Sequence, residues 1–335
     1  MVSRLLITGG SGFIGRRAVH SALESGFQVL NLDLKEPDVS SDKYESVAAD
    51  VRDCGQIAHI FEDFAPTHVL HLAAETDFSL SDVKDFSTIV DGSKAVFQVA
   101  AHQPSVHRLV HVSTQYVLEP GVQPNNERHY QPYAPYGEAK VESEKRLWAS
   151  NLSGWTIVRP CVVWGPNFET FADGLLKYID RRLYRHPASR RPIMRTFGYV
   201  DNVANQMVSF LSIPAEKLDR KVYYLGDEVM DYAIWADGFS RALTGHDARR
   251  VPKSALFALG MMGEGAKKLG IKLPYNMGRY HRMTTSSPLD LDATFKAVGS
   301  PSIDFETGVQ RTVTWLREYW NGEDKADADV TTGQR

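Results

Sequence analysis

The 335-residue chain has only two cysteines, Cys54 and Cys161, too few for a disulfide framework and in keeping with a reducing compartment, so a cytoplasmic setting is expected. It lacks any apolar run near the roughly 20 residues that a membrane span requires. The longest, ALFALGMMG, falls far short, and no basic and apolar leader precedes the first apolar run, so no membrane partner is expected. Neither sign of charge dominates: a net charge of −3 argues against a general nucleic-acid binder. Internal repeats and low-complexity tracts are missing. The histidines, among them His102, His107 and His111, lack metal-ligand spacing, so no metal is expected. With 43% hydrophobic residues, the chain can bury a substantial core in one large domain or two intimately joined ones.

What is present begins with glycine. TGGSGFIG places Gly9, Gly12 and Gly15 between a short apolar run, Leu5 to Ile7, and a run from Phe13 to Ser25 with Ile14, Val19 and Leu23 on one face. That is a turn from a buried strand into a helix. Missing side chains there let backbone N–H groups and the positive end of the helix approach a pyrophosphate. The next apolar stretch, FQVLNLDL, carries Asp33 near its end. An acid about 20 positions beyond such glycines accepts from a ribose 2′-hydroxyl and repels a 2′-phosphate, which favours NAD over NADP. Lys35 lies close enough to aid an added phosphate.

Strand-like runs RLLIT, FQVLNLD, ESVAAD, HVLHLAA, RLVHVS and WTIVRP alternate with helix-like runs such as CGQIAHIFEDF and DFSTIVDGSKAVFQVAAH. Such alternation predicts an α/β fold with a doubly wound parallel sheet. From about Gly165 the pattern becomes mainly helical: FADGLLKYIDRRLYRH, YVDNVANQMVSFLSI, DYAIWADGFSRALTG and FETGVQRTVTWLREYW read as helices, and VYYLGD as one more strand. The expected division is a dinucleotide-binding domain over 1–165, a substrate-binding region over 166–322 with some elements returning to the core, and a disordered tail over 323–335.

In YAPYGEAKVESEK, Tyr136 and Lys140 stand four apart, on one face of a helix. A phenol with a pKa near 10 is a poor base at neutral pH, and an ammonium beside it lowers that value and makes proton exchange with a substrate hydroxyl feasible. Ser113 and Thr114, at the end of the run RLVHVS, are hydroxyls able to hold the same substrate oxygen.

With TGGSGFIG, Asp33, HLAA at 71–74, VST at 112–114 and YGEAK at 136–140 in this order, the chain resembles the extended short-chain dehydrogenase/reductase family. Within it the chain is similar to the NAD-dependent epimerase/dehydratase enzymes that modify nucleotide sugars. The resemblance implies a Rossmann-type sheet with a smaller, mainly helical C-terminal substrate-binding region. It makes Tyr136 the catalytic base, has Lys140 lower the Tyr136 pKa and bind the nicotinamide ribose, and lets Thr114 hydrogen-bond the reacting oxygen. The NAD site it implies comprises Gly9, Gly12, Phe13, Ile14, Gly15, Asp33, Asp50, Val51, Leu72, Ala73, Ala74, Tyr136 and Lys140, with Asp50 and Val51 flanking the adenine. It also implies a homodimer paired through the helices at 85–102 and 135–150.

Some positions depart from the family pattern. Gln115 and Tyr116 stand where dehydratases carry an acidic pair, so elimination of water is not expected; Val162 and Asp91 replace asparagines common in sugar epimerases. Arginines cluster at Arg181, Arg182, Arg185, Arg190, Arg191 and Arg195, and guanidinium suits a diphosphate. In MRTFGYVDNVA, Arg195 resembles the family arginine that contacts the substrate diphosphate. The expected activity is epimerisation of a nucleotide sugar through a transient 4-keto intermediate. The alternatives are a 4-ketoreductase, a sugar or steroid-like alcohol dehydrogenase, and a non-catalytic dinucleotide sensor.

Overall fold

The computed structural model of the chain describes residues 3–35, 39–76, 80, 82–268 and 275–332. Leu5, Leu6 and Ile7 are the middle of strand β1 (Arg4–Thr8). Their unbroken apolar run follows from burial on both faces, with Leu5 and Ile7 in one apolar cluster and Leu6 in another. β1 belongs to a seven-stranded sheet with β2 (Gln28–Asp33), β3 (Tyr44–Ala48), β4 (His68–His71), β5 (Arg108–Val112), β6 (Trp155–Pro160) and β10 (Lys221–Leu225). The order is β10-β6-β5-β4-β1-β2-β3 and every pairing is parallel. The order reverses between β1 and β4, where Thr8 lies in register with His71. In open α/β sheets the crevice beyond the carboxyl ends of strands at such a switch is where ligands bind.

Helices cover both faces. Ala18, Val19 and Ala22 of α1 (Phe13–Glu24) share a cluster with Val203, Ala204, Met207 and Val208 of α7 (Val200–Ser212). On the other face lie α2 (Cys54–Phe64), α3 (Ser93–His102) and α4 (Ala134–Trp148), which contribute Ile57, Phe61, Val96, Phe97 and Leu147. α2 starts where the Asp53 carboxylate accepts from the Gln56 N–H, an ordinary N-cap.

The chain divides into two compact units, the first comprising Met1–Val163, Val200–Glu228 and Leu289–Pro301. The segment YVDNVANQMVSFLSI, read from the sequence as part of the helical second region, thus supplies α7 to the first unit, because its apolar face completes the cover over α1. α8 (Ala215–Leu218), β10 and α12 (Asp292–Val298) complete that unit.

The second unit comprises Trp164–Tyr199, Val229–Pro288 and Ser302–Arg335. The chain enters it through β7 (Val162–Trp164), which forms a three-stranded sheet, order β11-β9-β7, with β9 (Met194–Tyr199) and β11 (Glu228–Asp231). β8 (Arg185–Ala188) pairs in parallel with β12 (Arg249–Pro252). Packed rings of Trp164, Tyr199, Phe239 and Phe305 fill its core, with α9 (Tyr232–Thr244) supplying Trp235 and Phe239. α10 (Lys253–Lys268) and α11 (Met277–Thr284) follow; ALFALGMMG lies inside α10.

Two expectations change here. The helix read over FADGLLKYIDRRLYRH breaks into α5 (Glu169–Phe171), a π turn and α6 (Lys177–Asp180), after which Arg182 takes a φ of 56° and Arg185 enters β8. The final helix α13 (Phe305–Thr332) runs through most of the segment expected as a disordered tail; the last three residues, 333–335, lie outside the described residues. Among the described residues no helix is long and apolar enough to cross a membrane, and no cluster of side chains suits a metal ion.

Candidate active site

The glycine turn sits at the switch point. Gly9 adopts a φ of +77°, and a Cβ there would lie 2.7 Å from the Ala73 nitrogen, so only glycine lets the ends of β1 and β4 come this close. Leu72 N–H donates to the Thr8 carbonyl at 3.0 Å and Ala73 N–H to Thr8 Oγ1 at 3.3 Å. Phe13, Ile14 and Gly15 form the first turn of α1, which has Gly12 at its N-cap, no side-chain cap and no acidic residue in that turn. That leaves the positive end of the helix to an anion. Asp33 Oδ2 accepts from Ser11 N–H at 3.0 Å and Oδ1 from Lys35 N–H at 3.1 Å, which fixes the carboxylate beside the turn. These features fit the adenosine, ribose and pyrophosphate of a dinucleotide.

The sequence reading passed over Asn31. Fully buried in β2, its Oδ1 accepts from Gly10 N–H at 2.9 Å while Nδ2 donates to Ser11 Oγ and Tyr44 OH, so it ties the turn to two strands. A polar residue inside the apolar run VLNLD was the available signal. Other expected cofactor positions are less open. The Asp50 carboxylate is gripped by the Arg52 guanidinium, which holds its pKa below the usual range, and Val51 is buried against Gly92. Ala74 packs beside Phe86, Ile89 and Tyr136.

α4 brings in the reactive groups. Tyr133 is its N-cap, and a Cβ on Gly137 would collide with the Tyr116 carbonyl, so this glycine sets α4 directly against the turn at 115–117. That approach joins Tyr136 to Thr114: their side chains hydrogen-bond, while Thr114 Oγ1 also accepts from Tyr116 N–H at 3.3 Å. Lys140 is buried one turn further on, and its Nζ donates to the Val112 carbonyl at 2.8 Å.

The electrostatics differ from the expected scheme. Burial pushes the Tyr136 phenol well above its ordinary pKa, and the hydrogen bond from Thr114, not Lys140, is what opposes the rise. Burial lowers Lys140 to about 8, against the attraction of Glu144 and Glu75. The Lys140 ammonium, one helical turn from Tyr136, is turned to the Val112 carbonyl.

Glu144, one turn beyond Lys140, was also overlooked. Its carboxylate accepts from Arg159 Nε at 2.9 Å and Nη2 at 2.7 Å, both buried, and from the half-buried Tyr130 OH at 2.9 Å. Its position four residues after Lys140 on the same helix was the signal. His71 bridges Thr8 Oγ1 at 2.7 Å and Ser93 Oγ at 2.9 Å, a scaffold role. Among the described residues Ser113 Oγ and Gln115 Nε2 are buried without a hydrogen-bond partner.

Arg195 belongs to the second unit. It is buried, donates from Nη1 to the Arg282 carbonyl at 3.0 Å and lies 5.6 Å from the Tyr232 ring centre, while its Nε has no partner among the described residues. The other arginines of its cluster do not gather around it as one site: Arg185 donates to the Arg182 and Tyr184 carbonyls, and Arg190 and Arg191 are exposed.

Residues 5–226 match the sequence profile of the NAD dependent epimerase/dehydratase family. The chain belongs to this family. As a member it is an NAD-dependent enzyme of the extended short-chain dehydrogenase/reductase type. It is 28% identical over 235 residues to a 4-hydroxy-2-methyl-3-oxo-4-farnesyl-3,4-dihydroquinoline-1-oxide ketoreductase of Stigmatella aurantiaca, covering 67% of this chain and 68% of that one. It is 29% identical over 182 residues to the human dTDP-D-glucose 4,6-dehydratase, where the match covers 49% of this chain and about half, 52%, of the relative. In fold it is similar to the UDP-glucose 4-epimerase of Thermotoga maritima solved with UDP-glucose, with a TM-score of 0.73, 21% identity and coverage of 95% and 99% of the two chains.

Proposed function

We propose that this family member epimerises a nucleotide-linked sugar through a transient 4-keto intermediate. The observation that carries the reading is the hydrogen-bonded pair of Tyr136 and Thr114 with Lys140 one turn on, beside a glycine turn suited to NAD. NAD, when bound, takes up and returns the hydride of the sugar carbon. Thr114 and Tyr136 hold the reacting oxygen between two hydroxyls, and Tyr136 takes its proton in one direction and gives it back in the other. Lys140 supplies the positive charge a phenolate needs. Arg195, on its sequence element, is the candidate for the substrate diphosphate. Gln115 and Tyr116 offer no carboxylic acid for loss of water, which supports epimerisation over dehydration.

One observation favours net ketone reduction as a second reading. The Stigmatella relative is a ketoreductase, and burial raises the Tyr136 pKa, the direction that suits a phenol donating its proton to a carbonyl. UDP-, GDP- and dTDP-sugars followed by NMR, with NADH absorbance read in parallel, separate the two. Stereochemical inversion without net NADH change supports the epimerase, and NADH consumption with a 4-keto sugar supports the reductase. No turnover of any sugar would sink both and point to an alcohol dehydrogenase of the same family acting on a substrate that is not a sugar.

A further inference from the structure

α10 of the second unit presents an unusual surface. Leu256, Gly260 and Gly263 face inward, and its one acid, Glu264, is turned to α11, where Oε1 accepts from the Met277 N–H at 3.2 Å. The exposed face carries Met261, 52% exposed, and Met262, 63%, with Ala255 and Ala258 beside them, and is flanked by Phe257, 45% exposed, whose ring meets Tyr280 of α11 edge-on at 5.5 Å. From Ser254 to Gly265 that outer face holds no charge. Lys253, Phe257 and Met261 stand four apart, so the apolar stripe begins at a cation.

Lys253 also lines an open cleft of about 730 Å³ with Ala188, Ser189, Arg190, Arg191 and Pro252. Among the described residues none of its three cations pairs with a carboxylate. In sequence the helix ends on Lys267 and Lys268. A bare apolar helix face bordered by unpaired cations is complementary to one kind of surface: hydrocarbon flanked by anionic phosphates.

We propose that α10 docks this protein on an anionic lipid bilayer, with Phe257, Met261 and Met262 entering the acyl boundary and Arg190, Arg191 and Lys253 meeting headgroup phosphates. The helix lies in the interface and does not cross it, so the short run ALFALGMMG is long enough for the task although far too short for a span. It departs from the expectation that no membrane is a partner, and it stands independently of the reaction catalysed. A second copy of the chain would also cover the apolar stripe, but its net charge of −3 offers these cations far less counter-charge than an anionic bilayer does.

The test is co-sedimentation of the full chain with vesicles of phosphatidylcholine alone and with a one-third share of phosphatidylglycerol. The expected result is binding to the anionic vesicles only, released by salt. Met261→Asp with Met262→Asp, and separately Arg190→Glu with Arg191→Glu, should each lower the bound fraction about tenfold or more. Both should leave NAD affinity and melting temperature unchanged, since neither pair touches the dinucleotide site. Brominated lipid should quench the added fluorescence of Phe257→Trp. Failure to bind anionic vesicles, binding untouched by both double variants, or a concentration-dependent dimer abolished by Met261→Asp with Met262→Asp would each overturn the proposal.

Discussion

Burial raises the Tyr136 pKa and the Thr114 hydrogen bond opposes the rise, and the proposed proton transfer rests on the single phenol oxygen. Tyr136→Phe removes that one oxygen and keeps the ring against Phe86, so fold and cofactor affinity should survive while kcat falls roughly 10²- to 10⁴-fold, measured by steady-state turnover once a substrate is in hand. Thr114→Val should also slow turnover with cofactor affinity nearly unchanged. Normal turnover in Tyr136→Phe would refute the mechanism. At the other end of the site, Asp33 is oriented by two backbone N–H groups beside the glycine turn, but Arg16 donates to the Ser11 carbonyl at 3.2 Å close by. Titration of both cofactors should show NAD binding more tightly than NADP, and Asp33→Ala should narrow the gap. Equal affinity in the unaltered protein would mean that Arg16 or Lys35 answers a 2′-phosphate.

At the scale of elements, the approach of α4 to the turn at 115–117 is what brings Tyr136 and Thr114 together. Ala is ordinarily better than Gly within a helix by roughly 0.5–1 kcal/mol. Gly137→Ala should nevertheless lower the melting temperature and turnover together, because its Cβ would strike the Tyr116 carbonyl, a backbone atom with little room to move. A variant more stable than the parent and fully active would show that α4 has slack there. Much of this level was legible in the sequence: β1, the glycine turn, α2, β5 and α9 lie where periodicity and punctuation put them, because each carries an apolar pattern that only one period explains. The failures share a cause. α10 hid because its outward face is apolar, so no polar side marked the helical period. The helix read through Arg185 failed because its later residues find strand partners in β12, which local pattern does not register. Among site residues, Tyr136, Lys140 and Thr114 were readable by type and spacing, whereas Asn31 and Glu144 act through partners distant in sequence, and the turn of the Lys140 ammonium to Val112 depends on burial that no spacing conveys.

The whole molecule carries imidazoles that burial keeps neutral. His71 is lowered to about 3, and His68 and His186 each to about 4, desolvation being the main cause in all three. An unfolded histidine titrates near 6.5. As pH falls below that value the unfolded chain takes up protons that the folded one refuses, so stability held above pH 6.5 drains away toward pH 3 to 4. Urea midpoints measured from pH 7 to pH 5 should decline, and His71→Asn should make the decline shallower even though it removes two hydrogen bonds. An unaltered slope would mean that His71 is not the group responsible. The discontinuous first unit has a consequence of another kind, in time. Its sheet lacks edge strand β10 and its α1 lacks the cover of α7 until residues beyond Val163 have been made, and α12, whose Thr294 Oγ1 donates to the Tyr224 carbonyl at 2.6 Å, comes only after most of the second unit. At about 5–20 residues per second, a ribosome needs roughly three to twelve seconds to pass from the end of the first segment to the end of β10. For that interval the nascent chain holds the apolar face of α1 and the open edge of β6 uncovered, so whatever shields nascent chains in the cell has several seconds of work on each copy of this protein.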